Sequence, residues 1–327
     1  MIDLSPMQAP HVDPEARSPL RSGGAIWGDV DHETQPFGLA TPGGIVSKTG
    51  VARLTLGGGF GWPSRKYGLS ADNLLSAELV TAEGEFVKAS AEESADLFWA
   101  IRGGGGNFGV VTSFELQLHE VGPKVLFGPT VHGLDDAAEV LRHYRDFARG
   151  APNGCSVYAD LLTAPTPYTA VQTTFDPLLP KGGRYYWKSH DLSGISDQMI
   201  DTVVARARRL PTAKSDILIH QFGGVINDPF RAATAHPHRD IDFVVTLGGF
   251  SEEPAQDEPC IAWARECHAE LGEYAAASVC LNFLSHGEGE ARLRSAYGGN
   301  AERLRTIKTR YDPENLFRRN HNVPAGA

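Results

Sequence analysis

Cysteine is scarce and never paired along the chain. Cys155, Cys260, Cys267 and Cys280 form no C-x-x-C string, so neither a disulfide framework nor a cysteine-based zinc module organises this protein. No G-x-x-x-x-G-K-[ST] string occurs either, which removes a P-loop. Apolar residues reach 41%, but no apolar run approaches a membrane span. Positive charge is also in short supply. Lysine and arginine number 30 against 40 acidic residues, a net charge of -10, which argues against a nucleic-acid partner. Residues 1–10 show neither a basic n-region nor an apolar h-region. Together with thiols read as reduced, this gives the expectation of a cytoplasmic protein.

What the sequence has in quantity is glycine, 36 residues in 327. The length suggests about two domains. Arg21 to Ile26 reads as a strand ending in Gly23-Gly24. Trp27 to Phe37 reads as a polar helix with Gly38 as its C-cap. Leu74 to Val87 reads as a hairpin turning at Glu83-Gly84. Ser90-x-x-Glu93 is a capping-box signal before a helix from Ser94 to Arg102, and Val110 to Leu118 alternates as a strand. Beyond Gly122-Pro123, amphipathic helices are expected over Asp136–Gly150, with Val140, Leu141, Tyr144, Phe147 and Ala148 on one face, and after Ser196, with Met199, Ile200, Val203 and Val204 inward. Glu258–Leu271 and Ala301–Arg310 are further helices. Strand-like runs cover Tyr168–Thr173, Arg184–Lys188, Asp216–Phe222, Asp242–Leu247 and Ser278–Leu284. Helices grouped apart from strands predict an α+β fold, with helices on one face of a mainly antiparallel sheet.

Gly104-x-Gly106-x-x-Gly109 matches a dinucleotide fingerprint as a string, but in the wrong context. That fingerprint follows a strand and opens a helix, because the helix N-terminus receives the pyrophosphate. Here a helix precedes and a strand follows. The clusters Gly57-Gly58-Gly59 and Gly103–Gly106 strip side chains from long backbone stretches. They are either plain tight turns or a surface on which a flat ligand lies against main-chain N–H groups. Two clusters flanking a hairpin, with Tyr67-Gly68 and Asp72-Asn73 between them, favour the ligand. Asn107 is the leading active-site candidate beside its alternative as a turn residue. Lys188 is a candidate anion or ring-edge contact beside its alternative as a solvated edge-strand lysine. His236-x-His238 lacks a third ligand nearby in sequence, so no metal is expected. His32 reads as a surface residue.

The run Gly38-Leu-Ala-Thr-Pro-Gly-Gly-Ile-Val-Ser-Lys-Thr-Gly50, Leu54-Thr-Leu-Gly-Gly-Gly-Phe-Gly-Trp62, Arg65-Lys-Tyr-Gly-Leu69, Asp72-Asn73, Asp96-Leu-Phe-Trp99 and Arg102-Gly-Gly-Gly-Gly-Asn-Phe-Gly-Val-Val-Thr-Ser-Phe114 resembles the berberine bridge enzyme-like FAD-linked oxidases. Tyr311-Asp-Pro-Glu-Asn-Leu-Phe317 and Asn320-His-Asn-Val-Pro324 are similar to that family's C-terminal signature. The resemblance implies the second half of a PCMH-type FAD-binding domain over residues 1–122, a substrate domain over 123–298 and a segment over 299–327 that returns to the first domain. It implies hydride removal from an alcohol or amine carbon of a small molecule, with FAD as cofactor and molecular oxygen as acceptor. It implies cofactor contacts from Gly43, Val46, Thr49, Gly50, Val51, Gly57, Gly58, Gly59, Tyr67 and Asn73, from Gly106, Asn107, Phe108, Gly109, Val110, Val111 and Thr112, and from Asn320 and Asn322.

Three departures stand out. Family members carry an upstream Arg-x-Gly-Gly-His loop whose histidine bonds to the flavin. This chain opens at Ile2-Asp-Leu-Ser-Pro-Met7, which matches the segment after that loop, so a histidine linkage is not expected in the chain as given. Val46 stands where some members have a flavin-linked cysteine, and Arg53 where a small glycine is common. Thr163-Ala-Pro165 runs almost directly into Thr166-Pro-Tyr168, so the substrate sheet is expected to be reduced. Cys280 occupies the place of a proton-accepting tyrosine; as a catalytic base it requires a depressed pKa. An active oxidase and a degenerate, non-catalytic relative both remain open at this point, as does a start codon assigned too late. Oligomeric state is not legible.

Overall fold

The computed structural model describes residues 2–8, 10–13, 15, 23–128, 130–157, 164–180, 182–228, 234–285 and 288–326. The strand expected from Arg21 begins outside them. From Gly23 the chain turns, and Ile26 forms only a bridge to Gly50. Thr163, at the shortened junction, also lies outside the described residues.

Two packed layers account for most of the buried apolar surface. The first is built on a three-stranded antiparallel sheet, with Leu74–Val80 between Phe86–Ser90 and Val110–Leu116. Helices Ala95–Ile101 and Ala301–Tyr311 pack beside it. Trp27, Leu79, Leu97, Phe108 and Phe114 fill its core together with Leu304, Ile307 and Val323. The C-terminal segment therefore folds back onto the N-terminal part. Helix Trp27–Thr34 runs into a 3₁₀ turn and stops at Gly38, whose φ of 66° places it in the left-handed region. That geometry suits glycine, which bears no Cβ penalty there.

The second layer is a three-stranded antiparallel sheet in the order Arg184–Leu192, Phe243–Ser251, Asp216–Gln221. Helices Ala137–Gly150, Asp197–Ala207 and Asp257–Leu271 cover one face. Ser196 caps the second of these, its hydroxyl oxygen accepting the Met199 N–H at 3.1 Å. Strand side chains alternate between faces. Ile217, Ile219, Val245 and Leu247 point into the helical core. Asp216, Leu218, His220, Thr246, Gly248 and Phe250 point the other way. The central strand is buried along its whole length, so its second face is covered too, by the first layer.

Several local expectations change. Tyr168–Gln172 is a helix, not a strand: its buried residues Tyr168, Val171 and Gln172 fall at helical spacing. Ser278–Leu284 is a loop with a 3₁₀ turn at Leu281–Phe283. The Ser90 hydroxyl accepts the N–H groups of Glu92 and Glu93, so it organises a turn at the strand end and does not cap the helix. Phe147 is 44% exposed and faces a cavity instead of the helical core.

Candidate flavin site

The face of the second sheet turned away from its helices meets the segment Gly44–Leu54 across a cavity of about 420 Å³. That size is typical of small-molecule sites. Its walls are largely apolar. Ile45, Val46 and Leu54 stand on one side, and Trp187, Leu218 and Phe250 on the other. Phe60, Phe175 and Phe283 close the gap. Gly50 is open where a Cβ would stand, so its backbone can be approached directly. The Trp187 indole N–H is buried without a hydrogen-bond partner and lies on this wall, available to a bound acceptor.

Among the expected cofactor contacts, Val46, Thr49 and Gly50 line the cavity. Val51 lies behind them in the core. Gly43 abuts the Trp27 indole, where a Cβ would overlap the ring. The glycine triplet does not open on the cavity. Its Gly59 N–H donates to Asn282 Oδ1 at 3.1 Å, and the Asn282 amide donates to Leu54 O at 3.1 Å. A side chain on Gly57 would overlap Asn282, and one on Gly58 would press on His236. These glycines permit close protein–protein approach. The second cluster behaves alike: Gly103, at φ 124°, lies against the His236 backbone, and Gly106 against Asn320.

Asn107 is a staple and not a free catalytic amide. It is fully buried. Its Nδ2 donates to Gly104 O at 2.8 Å and His321 O at 3.0 Å, and its Oδ1 accepts the Val323 N–H at 3.1 Å. It binds the glycine loop to the C-terminal tail. Phe108 is core, and Gly109 packs on Leu79 and Val80. Val110, Val111 and Thr112 begin the strand paired with Leu74–Val80. Asn320 Nδ2 donates to Gly106 O at 2.8 Å, while Asn322 keeps a buried side-chain oxygen without a hydrogen bond. Asn73 holds Leu69 O at 2.7 Å and meets His119 at 2.6 Å. Tyr67 stacks on His119 at 4.0 Å and borders a separate cavity of about 590 Å³.

Two other catalytic candidates are also displaced. Cys280 is buried, and burial pushes its thiol up to about 12, so it keeps its proton at neutral pH and is no base. Lys188 follows Trp187 on the same strand and therefore faces away from the cavity. It pairs with the buried Glu288 at 3.0 Å.

The residues that sequence reading missed are on the sheet. Asp216 and His220 sit four apart on one strand face, with Leu218 between them. Burial raises the Asp216 carboxyl from 3.8 to about 6, against the opposing effect of a Gly248 N–H. Burial lowers the His220 imidazole to about 3, leaving it neutral near pH 7. Gly248 pairs in register with Asp216, and a side chain there would occupy the carboxylate's place. The available signal was polar residues at i and i+4 on the strand face turned away from the helices. Arg53 borders the cavity but is exposed, as is Lys48, so Arg53 does not obstruct the interior.

Comparison with known proteins finds similarity to FAD-linked oxidoreductases. Residues 1–90 match the FAD binding domain family, and residues 281–324 the family described as berberine and berberine like. In both regions the chain is similar to the berberine bridge enzyme-like FAD-linked oxidoreductases. An FAD-linked oxidoreductase of Dictyostelium discoideum is 29% identical, over 99% of this chain and 79% of the relative. (R)-6-hydroxynicotine oxidase of Paenarthrobacter nicotinovorans is 28% identical, over all of this chain and 82% of the relative. A solved berberine bridge enzyme-like protein of Arabidopsis thaliana shares the fold, with a TM-score of 0.88 at 20% identity over 99% of this chain and 82% of its own. The Dictyostelium alignment runs over 363 positions, more than the 327 residues here, so that relative of the family has internal segments this chain lacks. The FAD binding domain match and the FAD-linked relatives indicate FAD as the cofactor and an oxidoreductase. The flat apolar walls, the open backbone at Gly50 and the unpartnered Trp187 N–H fit its ring system.

Proposed function

We propose that this chain is an FAD-dependent oxidase that removes a hydride from an alcohol or amine carbon of a small molecule, with molecular oxygen as the final acceptor. The observation that carries this reading is the cavity between the Gly44–Leu54 segment and the Asp216-bearing sheet face. FAD supplies a hydride acceptor there. The chain's own residues do the rest. Val46, Thr49 and Gly50 form the ring-facing wall. Trp187, Leu218 and Phe250 exclude water and orient the substrate. Asp216, ionised above about pH 6, accepts the substrate proton. Cys280 takes no part. Two electrons and two protons then leave as hydrogen peroxide.

The non-ring part of FAD is assigned to the half-exposed backbone around Gly105, Gly106, Val110 and Thr112. The division near residue 122 is supported by the two larger cores, while a third, smaller cluster joins Phe60 and Leu69 to Phe222, Ile226 and Val244 across it. Val279, Leu281 and Leu284 already belong to the first core, which favours a return segment starting nearer residue 279. Four free thiols support a reducing, cytoplasmic setting, and no described helix is long and apolar enough to cross a membrane.

The test is direct. The purified chain is incubated with FAD, freed of excess cofactor and scanned for flavin absorbance, then assayed for peroxide against amine and alcohol panels. Flavin retention with substrate-dependent peroxide supports the reading. A protein that stays colourless, or retains flavin yet forms no peroxide with any panel, favours the non-catalytic relative.

A further inference from the structure

Among the described residues the cavity is lined by one acidic side chain, and no cationic partner of it is found there. Asp216 forms no ion pair among the described residues, and its carboxylate is opposed only by the Gly248 N–H. The surroundings make this unusual. Leu218 flanks it on its own strand, Phe250 lies on the neighbouring strand, and the carboxylate itself lies over Gly248, directly across the ladder. His220, on the same face, is neutral through burial. The two cations of the cavity wall, Lys48 and Arg53, belong to the opposite side and are exposed. Solvent satisfies them, and neither pairs with Asp216.

An ionised carboxylate held in apolar surroundings is unfavourable unless a counter-charge arrives. A neutral hydroxyl substrate leaves that charge uncompensated. A protonated amine compensates it, and the faces of Trp187 and Phe250 add cation–π attraction for the same group. An anionic substrate is repelled.

We propose that Asp216 is the counter-ion for the ammonium group of the substrate, so that the cavity selects small amines with an aromatic or apolar body over the matching alcohols. This rests on the reading of the cavity as the substrate side of the flavin site. The binding geometry needs no covalent step: the ammonium meets the Asp216 carboxylate from the cavity side, its carbon skeleton lies against Leu218 and Phe250, and the charge pair forms out of water.

Isothermal titration of benzylamine and benzyl alcohol at pH 8, into the chain with and without added FAD, tests the proposal. Benzylamine is expected to bind about tenfold more tightly than benzyl alcohol, a difference of about 1.4 kcal/mol. Asp216→Asn is expected to remove that preference, and Asp216→Glu to restore part of it. Equal binding of the two ligands by the unmodified chain overturns the proposal, with no variant required. So does a preference that survives Asp216→Asn. Flavin uptake, read separately by absorbance, keeps the two ideas apart. If no flavin is taken up and the amine preference is present, the flavin-site reading fails and the Asp216 assignment stands. If flavin is taken up and the preference is absent, only the assignment falls.

Discussion

Burial without pairing and burial with full pairing give individual residues opposite meanings in this molecule. Asn107 is the paired case. Every group of its amide meets the glycine loop or the tail, and its own carbonyl accepts the Lys308 ammonium at 2.8 Å. Asn107→Ala leaves Gly104 O and the Val323 N–H without their side-chain partner, and is expected to lower unfolding free energy by about 3 kcal/mol, read as a shifted urea midpoint at unchanged slope. A loss under about 0.5 kcal/mol contradicts the staple. Asp216 is the unpaired case. Its carboxyl is raised from 3.8 to about 6, so the fold prefers its neutral form. The stability it contributes is present below about pH 4 and is lost as pH rises through about 6. Lys48, Arg53 and His220 are the other titratable groups on the cavity wall, and none reverses that sign. Asp216→Asn should therefore match the unmodified chain near pH 4 and exceed it at pH 8 by at most about 3 kcal/mol. A pH-independent difference in thermal melts refutes this. A site residue that destabilises its own fold is the usual trade between function and stability.

Among the elements, the C-terminal helix shows most directly how sequence-distant parts are fixed. Lys308 and Asp312 lie one turn apart on Ala301–Tyr311 and its C-cap and are both wholly buried. The ammonium also donates to Phe317 O at 3.1 Å, and the carboxylate accepts N–H groups from Leu316 at 2.7 Å and Phe317 at 2.8 Å. Lys308→Met strands the carboxylate, and is expected to lower stability by about 3–5 kcal/mol, with a matching fall in melting temperature. An unchanged melt overturns the clamp. The helix itself was legible, because its apolar spacing and the Asp312-Pro313 stop are local signals. Helices Asp197–Ala207 and Asp257–Leu271 were legible for the same reason, as was the Leu74–Ser90 hairpin. Tyr168–Gln172 was not, since a five-residue apolar run carries too few turns to show its period. Ser278–Leu284 was not, because its path is set by side chains elsewhere. Asp191 Oδ1 accepts the Cys280 N–H at 3.2 Å, and Asn282 is held by the Gly59 loop.

At the scale of the whole molecule, the site exists only where two layers meet. Val46 and Thr49 come from one, and Asp216 and Phe250 from the other. The glycine segment and the tail signature are contiguous strings and carried the family resemblance. The facing of one strand toward residues some 170 positions away is a tertiary fact with no local signature, which is why Asp216 stayed unread and Asn107 was misassigned. The layers are held together beside the cavity as well. Arg239 grips both oxygens of Asp72 at 2.8 and 2.6 Å, and Arg65 reaches across to Phe222 O at 3.1 Å. A ligand that fills the cavity touches both layers and binds only the folded chain, so it stabilises by mass action. At a free FAD concentration about one hundred times its dissociation constant, the gain is about 2.7 kcal/mol. For a chain of this length that corresponds to a rise in melting temperature of about 4 °C. A scan with graded FAD should show the transition moving upward as one unit, because contacts on both sides are stabilised together. A rise confined to an early partial transition would mean that the cofactor engages one layer alone. No rise at saturating FAD would mean that the cavity, however well its walls suit a flavin, does not hold one in this chain.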